Sequence, residues 1–296
     1  MLTFAIMSLA PGSPLDLLVD PTMTREQIEF QRAQLGFDQP FYVQYGRWLS
    51  ELFQGNLGYS YTYGRPVLDL IKERLPATLL LGGTAMFLAY VIALPLGIVS
   101  GSRPYTLWDY TAMGIALLTA ATPSFFFGLV AIYVFAVRLQ LLPLGGMFPP
   151  GGSPTVSTVI THLTLPALVL AGSQLGSIIS FVRGGVLEVM REDFVRTARA
   201  KGAGERRVIF KHVLRNALIP VVTLLGLSLP FLVSGAVIVE QVFVWPGIGS
   251  LLISAITSRD YPVIMGITML VSVFVLLGNL LADLAYGWID PRVRYG

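Results

Sequence analysis

The sequence predicts an all-α protein, a polytopic bundle of transmembrane helices, and two observations carry that prediction. The first is composition: of 296 residues, 54% are hydrophobic and only 12% charged, with a mean hydropathy of +0.70. A water-soluble globule of this length cannot hide so much apolar surface, so a bilayer is its solvent. The second is charge placement: no Asp, Glu, Lys or Arg falls within 75–102, 110–137, 139–182, 216–239 or 261–282. Each run is longer than the ~20 residues with which an α-helix crosses the hydrocarbon core. The runs are continuously apolar and do not alternate at period two, which excludes barrel strands.

Five full spans are expected, at 76–101, 109–137, 161–182, 217–239 and 262–285. Residues 1–10 are apolar but half the spanning length, and they end at Pro11-Gly12-Ser13-Pro14, a helix stop. They are too short for a secretory signal and lack its basic start. Residues 1–11 therefore read as the remainder of a first transmembrane helix whose upstream part is missing. Residues 12–75 read as an extracytoplasmic cap and 76–296 as the transmembrane domain. Within the cap, Thr24 and Gln27 form a capping-box start and Gly36 a stop for a short helix over 25–35. A second helix is expected from Pro40 to Gly55, with Phe41, Tyr45, Trp48, Leu49 and Leu52 at helical spacing.

Lys and Arg set the orientation. Segment 183–215 holds nine of the twenty (Arg183, Arg191, Arg196, Arg199, Lys201, Arg206, Arg207, Lys211, Arg215) against four acids, a net of +5. By the positive-inside rule that loop is cytoplasmic, and threading outward from it puts 139–160 and 240–261 outside and the C-terminus inside. The same rule accounts for the sequence pI of 9.2 without invoking nucleic acid.

The spans carry little that could do chemistry. Ion-coupled transporters keep paired ionisable residues inside their spans, and here those runs hold only His162, near an outer end and with no acid close in sequence, so it reads as an interfacial hydrogen-bonding residue. Glu240 and Asp283 lie at span ends, where water or interfacial partners can reach them. With two histidines and no cysteine, neither a metal constellation nor a disulfide is expected. The sequence contains no G-x-x-x-x-G-K-[ST] phosphate loop, so energy for active transport must come from another subunit. A stand-alone secondary transporter or channel is disfavoured by the uncharged spans, and a membrane enzyme by the lack of a paired-acid or nucleophile-base set. The pathway is expected to be uncharged, lined by Thr122, Pro123, Ser124, Gln174 and Ser234, with Pro95, Pro123, Pro166 and Pro230 bending the spans.

The most informative segment is 193–220, which reads helix, break, helix. An amphipathic stretch runs to Ala200, Gly202 and Gly204 make a turn, and a second helix leads into the next span. Ala198, Ala200, Gly202 and Ala203 are small enough for another backbone to approach, while Arg199, Lys201 and Arg206 offer contacts to an acidic partner. A basic helix beside a membrane can also grip anionic lipid.

Here the sequence resembles a family. Arg196-Thr197-Ala198-Arg199-Ala200-Lys201-Gly202, followed by Ile209, His212, Leu214, Asn216 and Pro220, is similar to the cytoplasmic signature of binding-protein-dependent ABC permeases of the dipeptide and oligopeptide type. Leu35-Gly36-Phe37-Asp38-Gln39-Pro40, Gly55-Asn56-Leu57-Gly58-Tyr59-Ser60, Arg74-Leu75-Pro76-Ala77-Thr78, Glu240-Gln241-Val242-Phe243-Val244-Trp245-Pro246-Gly247-Ile248-Gly249 and Asp290-Pro291-Arg292-Val293-Arg294 agree with that subfamily. The first triplet, Arg196-Thr197-Ala198, departs from the Glu-Ala-Ala of general importers and narrows the match to the peptide branch. The resemblance implies a six-helix subunit that pairs with a second permease and receives peptides from an external solute-binding protein. It further implies two cytoplasmic ATPase subunits, on which ATP and Mg reside, so that this chain binds no cofactor and is no enzyme. The coupling loop would be 183–216, with Ala198, Arg199, Ala200, Lys201, Gly202, Ala203, Gly204 and Arg206 at the ATPase. Nickel, glutathione, opines and sugars remain open as substrates.

The orientation has a direct test, because the chain has no native cysteine. A cysteine introduced at Gly152 is expected to react with an impermeant maleimide on intact cells; reaction only after permeabilisation would reverse the topology.

Overall fold

The computed structural model describes residues 2–9, 23–34, 38–152, 155–218, 221, 224–226, 228, 230–234 and 236–289. Its described residues are helical apart from turns and one isolated bridge between Tyr59 and Pro66, as the apolar runs require. In chain order the helices are α1 (Leu2–Leu9), α2 (Arg25–Gln34), α3 (Phe41–Phe53), α4 (Val67–Ser102), α5 (Leu107–Ala121), α6 (Ser124–Ala131) and α7 (Val156–Val189). Then follow α8 (Asp193–Ala200), α9 (Glu205–Arg207), α10 (Leu214–Ala217), α11 (Phe231–Ser234), α12 (Val237–Val242), α13 (Ile248–Thr257) and α14 (Tyr261–Ile289). Two compact units are distinguished: Met1–Thr78 with Pro246–Val273, and Leu79–Trp245 with Phe274–Gly296.

In the first unit the expected local signals operate. Thr24 and Gln27 exchange the reciprocal capping-box bonds, Thr24 N–H to Gln27 Oε1 at 2.9 Å and Gln27 N–H to Thr24 Oγ1 at 3.4 Å. Gly36 lies outside the described residues. α3 begins after Pro40 and closes on Gly55, whose φ of +79° lets Asn56 N–H reach Glu51 O and Gly55 N–H reach Leu52 O. Its aromatic face packs Phe41 and Tyr45 on Phe4, with ring centroids 5.4 and 5.6 Å apart.

Two contacts in this unit were not legible beforehand. Asp260, fully buried, accepts hydrogen bonds from the Ser60 hydroxyl and from Tyr61 N–H and Thr62 N–H at 3.2 and 3.0 Å. A buried carboxylate needs such donors, and these three anchor the loop 58–66. Burial, and then the Asp260 charge, push the Tyr61 phenol up to about 12. The second contact caps α13, a short apolar helix that the charge-free runs did not announce. Thr78 Oγ1 accepts from Ile248 N–H at 2.7 Å, so the family-like stretches 74–78 and 240–249 meet at a helix start.

The second unit is built on α7. Close approach is possible because small residues meet it: a Cβ on Gly97 would lie 2.7 Å from Val182 Cβ, and one on Gly101 2.7 Å from Val186 Cβ. On α7 itself, a Cβ on Gly176 would lie 2.5 Å from Ala116 O of α5. The ends of these helices are tied by a charge pair. Arg183 of α7 forks onto Asp109 of α5, Nε to Oδ1 at 2.7 Å and Nη2 to Oδ2 at 2.9 Å. Asp109 also accepts from the Ser100 hydroxyl of α4 and from Tyr105 N–H.

The described residues refine the expected spans. The span 109–137 bends where Pro123 was expected to bend it: α5 and the helical run Ser124–Arg138 meet at 101°. Pro123 is the cause, since it has no N–H to continue the ladder and forces Thr122 out of the α region, to ψ 124°. Pro95 and Pro166, by contrast, lie within unbroken α4 and α7. Across 217–239 the described residues are the end of α10, helical residues at 221 and 224–226, α11 and the start of α12, with turns at Leu218, Ser228, Pro230 and Ala236, while Pro220 lies outside them. Glu240 is fully buried rather than open to water, and the Asp283 side chain lies outside the described ones. His162 does fill the expected structural role, as its Nδ1 lies 3.1 and 3.3 Å from the Gly145 and Gly146 carbonyls. Carbonyls only accept, so that nitrogen carries the proton.

Asp109→Asn keeps the shape but leaves Arg183 without its counter-charge. The expected cost is about 2–3 kcal/mol, below the roughly 3–5 of a fully enclosed pair because Arg183 is partly accessible. Thermal unfolding in detergent measures it; an unchanged midpoint would show the pair to be dispensable.

Candidate functional site

The basic segment after α7 is held in one shape by its own backbone. α8 opens with Asp193 in its first turn and ends with Arg199 in its last, each charge complementing the helix dipole. Val195, fully buried, faces inward, as do Val208 and Val213 of the following helical run. The turn between them is a Schellman closure: Ala203 N–H bonds Ala198 O at 3.2 Å, and Gly202 N–H bonds Arg199 O at 2.9 Å. Gly202 sits at φ +79°, where an L side chain is strained by roughly 1–2 kcal/mol. Nothing lies within 4 Å of where its Cβ would be, so the space beside the turn is open.

A fork spans the turn. Arg199 donates from Nη2 to Glu205 Oε1 at 2.6 Å and from Nε to Oε2 at 3.2 Å. That hydrogen bond holds the Glu205 carboxyl below its ordinary range. A lowered acid contributes its stability above the usual glutamate range and loses it as pH falls through the lowered value, so the fork is intact at neutral pH. Beyond Arg207 the chain loosens into a π-helical stretch, Val208–Val213, before α10. Such stretches are short and frequent at functional sites.

The expected site residues do not all face one way. Ala198, Lys201, Gly202 and Ala203 line one concavity of about 560 Å³, together with Phe194, Thr197, Arg207, Lys211 and His212. Three cations and no carboxylate line it, so it suits a partner with acidic groups around an apolar knob. Arg199 is turned onto Glu205, Arg206 faces elsewhere, and Ala200 and Gly204 are not among its lining. Phe194 was missed, although 194, 197, 198 and 201 follow the i, i+3, i+4, i+7 pattern of one helix face. The residues expected to line a pathway lie on different elements. Thr122, Pro123 and Ser124 occupy the 101° break. Gln174, on α7, has its Nε2 buried with no hydrogen-bond partner among the described residues. Ser234 turns back onto Pro230 O at 3.0 Å. Among the described residues no hydrogen bond joins these polar side chains to one another.

Long apolar helices, outward-facing Leu107, Leu117, Leu276 and Leu284, and one basic helix-turn-helix segment together define a multi-pass membrane permease. The comparisons agree. The description "Binding-protein-dependent transport system inner membrane component" matches residues 93–295, and that of the N-terminal part of such components matches residues 1–82. The chain belongs to this family. It is 44% identical over 302 residues to the oligopeptide transport system permease protein AppB of Bacillus subtilis (strain 168), covering 100% of this chain and 94% of that protein. It is 40% identical over 315 residues to the probable D,D-dipeptide transport system permease protein DdpB of Escherichia coli (strain K12), covering 100% and 93%. Among solved structures, an inward-facing MetNI methionine ABC transporter matches with a TM-score of 0.62 at 18% identity, over 75% of this chain and 97% of that one, which shows a shared fold.

Proposed function

We propose that this chain is the permease subunit of an ATP-driven peptide importer, in which the turn at Gly202 is the seat of an ATPase subunit on the cytoplasmic side. The observation that carries the reading is the turn itself: a backbone-locked corner with open space beside Gly202 and a cationic concavity beneath it. A short rigid element of this kind can pass a rigid-body motion of a partner into the spans. α8 follows α7 after only three residues, and α7 is clamped to α5 by Arg183 and Asp109, so displacement of the turn has a stiff route. Peptide cargo is supported by the names of the relatives, an oligopeptide and a D,D-dipeptide permease. The net charge of +5 over 183–215 supports the cytoplasmic placement. A second permease, two ATPases and an external binding protein complete the assembly. Cargo crosses near the uncharged break at Thr122, Pro123 and Ser124, with selectivity set chiefly by the binding protein.

Gly202→Trp separates this reading from simple attachment of the loop to lipid. The substitution is expected to leave membrane insertion intact, to abolish uptake and to lower ATPase co-purification roughly tenfold or more. Gly202→Asn, which tolerates positive φ without the bulk, should retain both. Lys201→Glu should weaken assembly only about fivefold, as expected for a rim charge. Attachment to lipid predicts the reverse order. Normal assembly and uptake in Gly202→Trp would remove the turn from the mechanism.

A further inference from the structure

The helical run that closes the coupling turn has two working sides. Arg207 and Lys211, four residues apart, share the concavity beside Gly202. Arg206, Ile209 and Phe210, at i, i+3 and i+4, share a different side and face a separate groove of about 600 Å³ against α4 and α5.

This groove is chemically two-ended. Its floor is apolar, with Leu96 and Val99 from the last turns of α4 and Trp108 and Ile115 from α5. Its cations are Arg103 and Arg206, and no carboxylate lines it. Three other cations of the region are paired, Arg183 with Asp109, Arg196 with Asp193 and Arg199 with Glu205. Among the described residues neither Arg103 nor Arg206 enters an ion pair. Depth follows from the sequence, because the charge-free run of α4 ends at Ser102 and Arg103 is the first charge after it. With Arg103 at the interface that ends this run, the groove's apolar floor on α4 and α5 would face the acyl chains and Arg206, which shares the groove, the headgroups.

We propose that this groove is a binding site for an anionic phospholipid, one acyl chain lying on Leu96, Val99 and Ile115 and the phosphate held by Arg103 and Arg206. A soluble anion would satisfy the arginines but leave the apolar floor unfilled; a neutral lipid would cover the floor but leave two exposed cations without a counter-charge. A lipid seated here braces the 205–210 run against the turn between α4 and α5. The set of the coupling loop then depends on the charge of the membrane around it.

The test uses the full chain purified from membranes with the subunits that accompany it. After exchange into neutral detergent it is titrated with phosphatidylglycerol or phosphatidylcholine, and bound lipid is counted by native mass spectrometry. Phosphatidylglycerol should be retained about thirtyfold better, the combined effect of two interfacial cations. Arg103→Gln with Arg206→Gln should abolish the preference, and Arg206→Gln alone should reduce it about fivefold. Arg191→Gln, on the same basic segment but outside the groove, should leave it unchanged. Unaltered thermal unfolding of the variants in phosphatidylcholine establishes that the fold survives. Equal retention of the two lipids by the unsubstituted protein would overturn the proposal. Displacement of phosphatidylglycerol by inorganic phosphate at similar concentration would make this a free-anion site and overturn it too. Loss of a subunit from the double variant with its lipid count unchanged would make the groove a protein interface instead.

Discussion

The fork between Asp109 and Arg183 is the constraint around which the larger unit is arranged. A carboxylate taken out of water requires a counter-charge and donors for its remaining lone pairs, and Asp109 has both: the guanidinium of α7, the Ser100 hydroxyl of α4 and Tyr105 N–H of the intervening turn. Those groups belong to α4, α5, α7 and the turn between the first two. Their meeting fixes the end of α4, the start of α5 and the last turns of α7 relative to one another. It also demands close backbone packing nearby, which Gly97, Gly101 and Gly176 permit because no side chain could fit there. The basic segment leaves α7 six residues past Arg183, from the best-anchored end of that helix.

Charge is distributed along the segment by a simple division. Acidic residues inside it pair with Arg196 and Arg199, the second pair spanning the turn. Three of the remaining cations fall on two sides of one helical run, Arg207 and Lys211 toward the concavity that Lys201 also lines and Arg206 toward the groove with Arg103. The first side is the one proposed above for an ATPase and the second the one proposed for an anionic lipid. A net positive charge that looks uniform in sequence is therefore three separate devices in space.

The fold class was legible because charge-free runs longer than a bilayer report helices directly, without tertiary information. The cap signals were equally local: Thr24 with Gln27, Pro40, and Gly55 each act within six residues. Gly202 was legible for the same reason, since a glycine after a periodic stretch marks a helix end. What stayed hidden was long-range. Asp109 and Arg183 are 74 residues apart, and Ser60 and Asp260 200 apart, so neither pairing leaves a trace in spacing. The break at Pro123 was flagged, yet its angle of 101° depends on how α6 packs, including the approach of Gly128 to Val242. Which of water or a partner meets Glu240 stayed open too, because its position at the end of an apolar run says nothing about its burial.

The most direct measurement of the central claim, that the turn after α8 seats an ATPase, is a contact measurement at Ala198. Ala198 lines the concavity and supplies the carbonyl that closes the turn, so a small thiol there leaves the backbone bonds in place. A single cysteine at this position, carrying a short photoactivatable cross-linker in membranes that contain the whole transport system, should yield a covalent product with an ATPase subunit. A product with lipid alone, or with no ATPase under any nucleotide condition, would contradict the account.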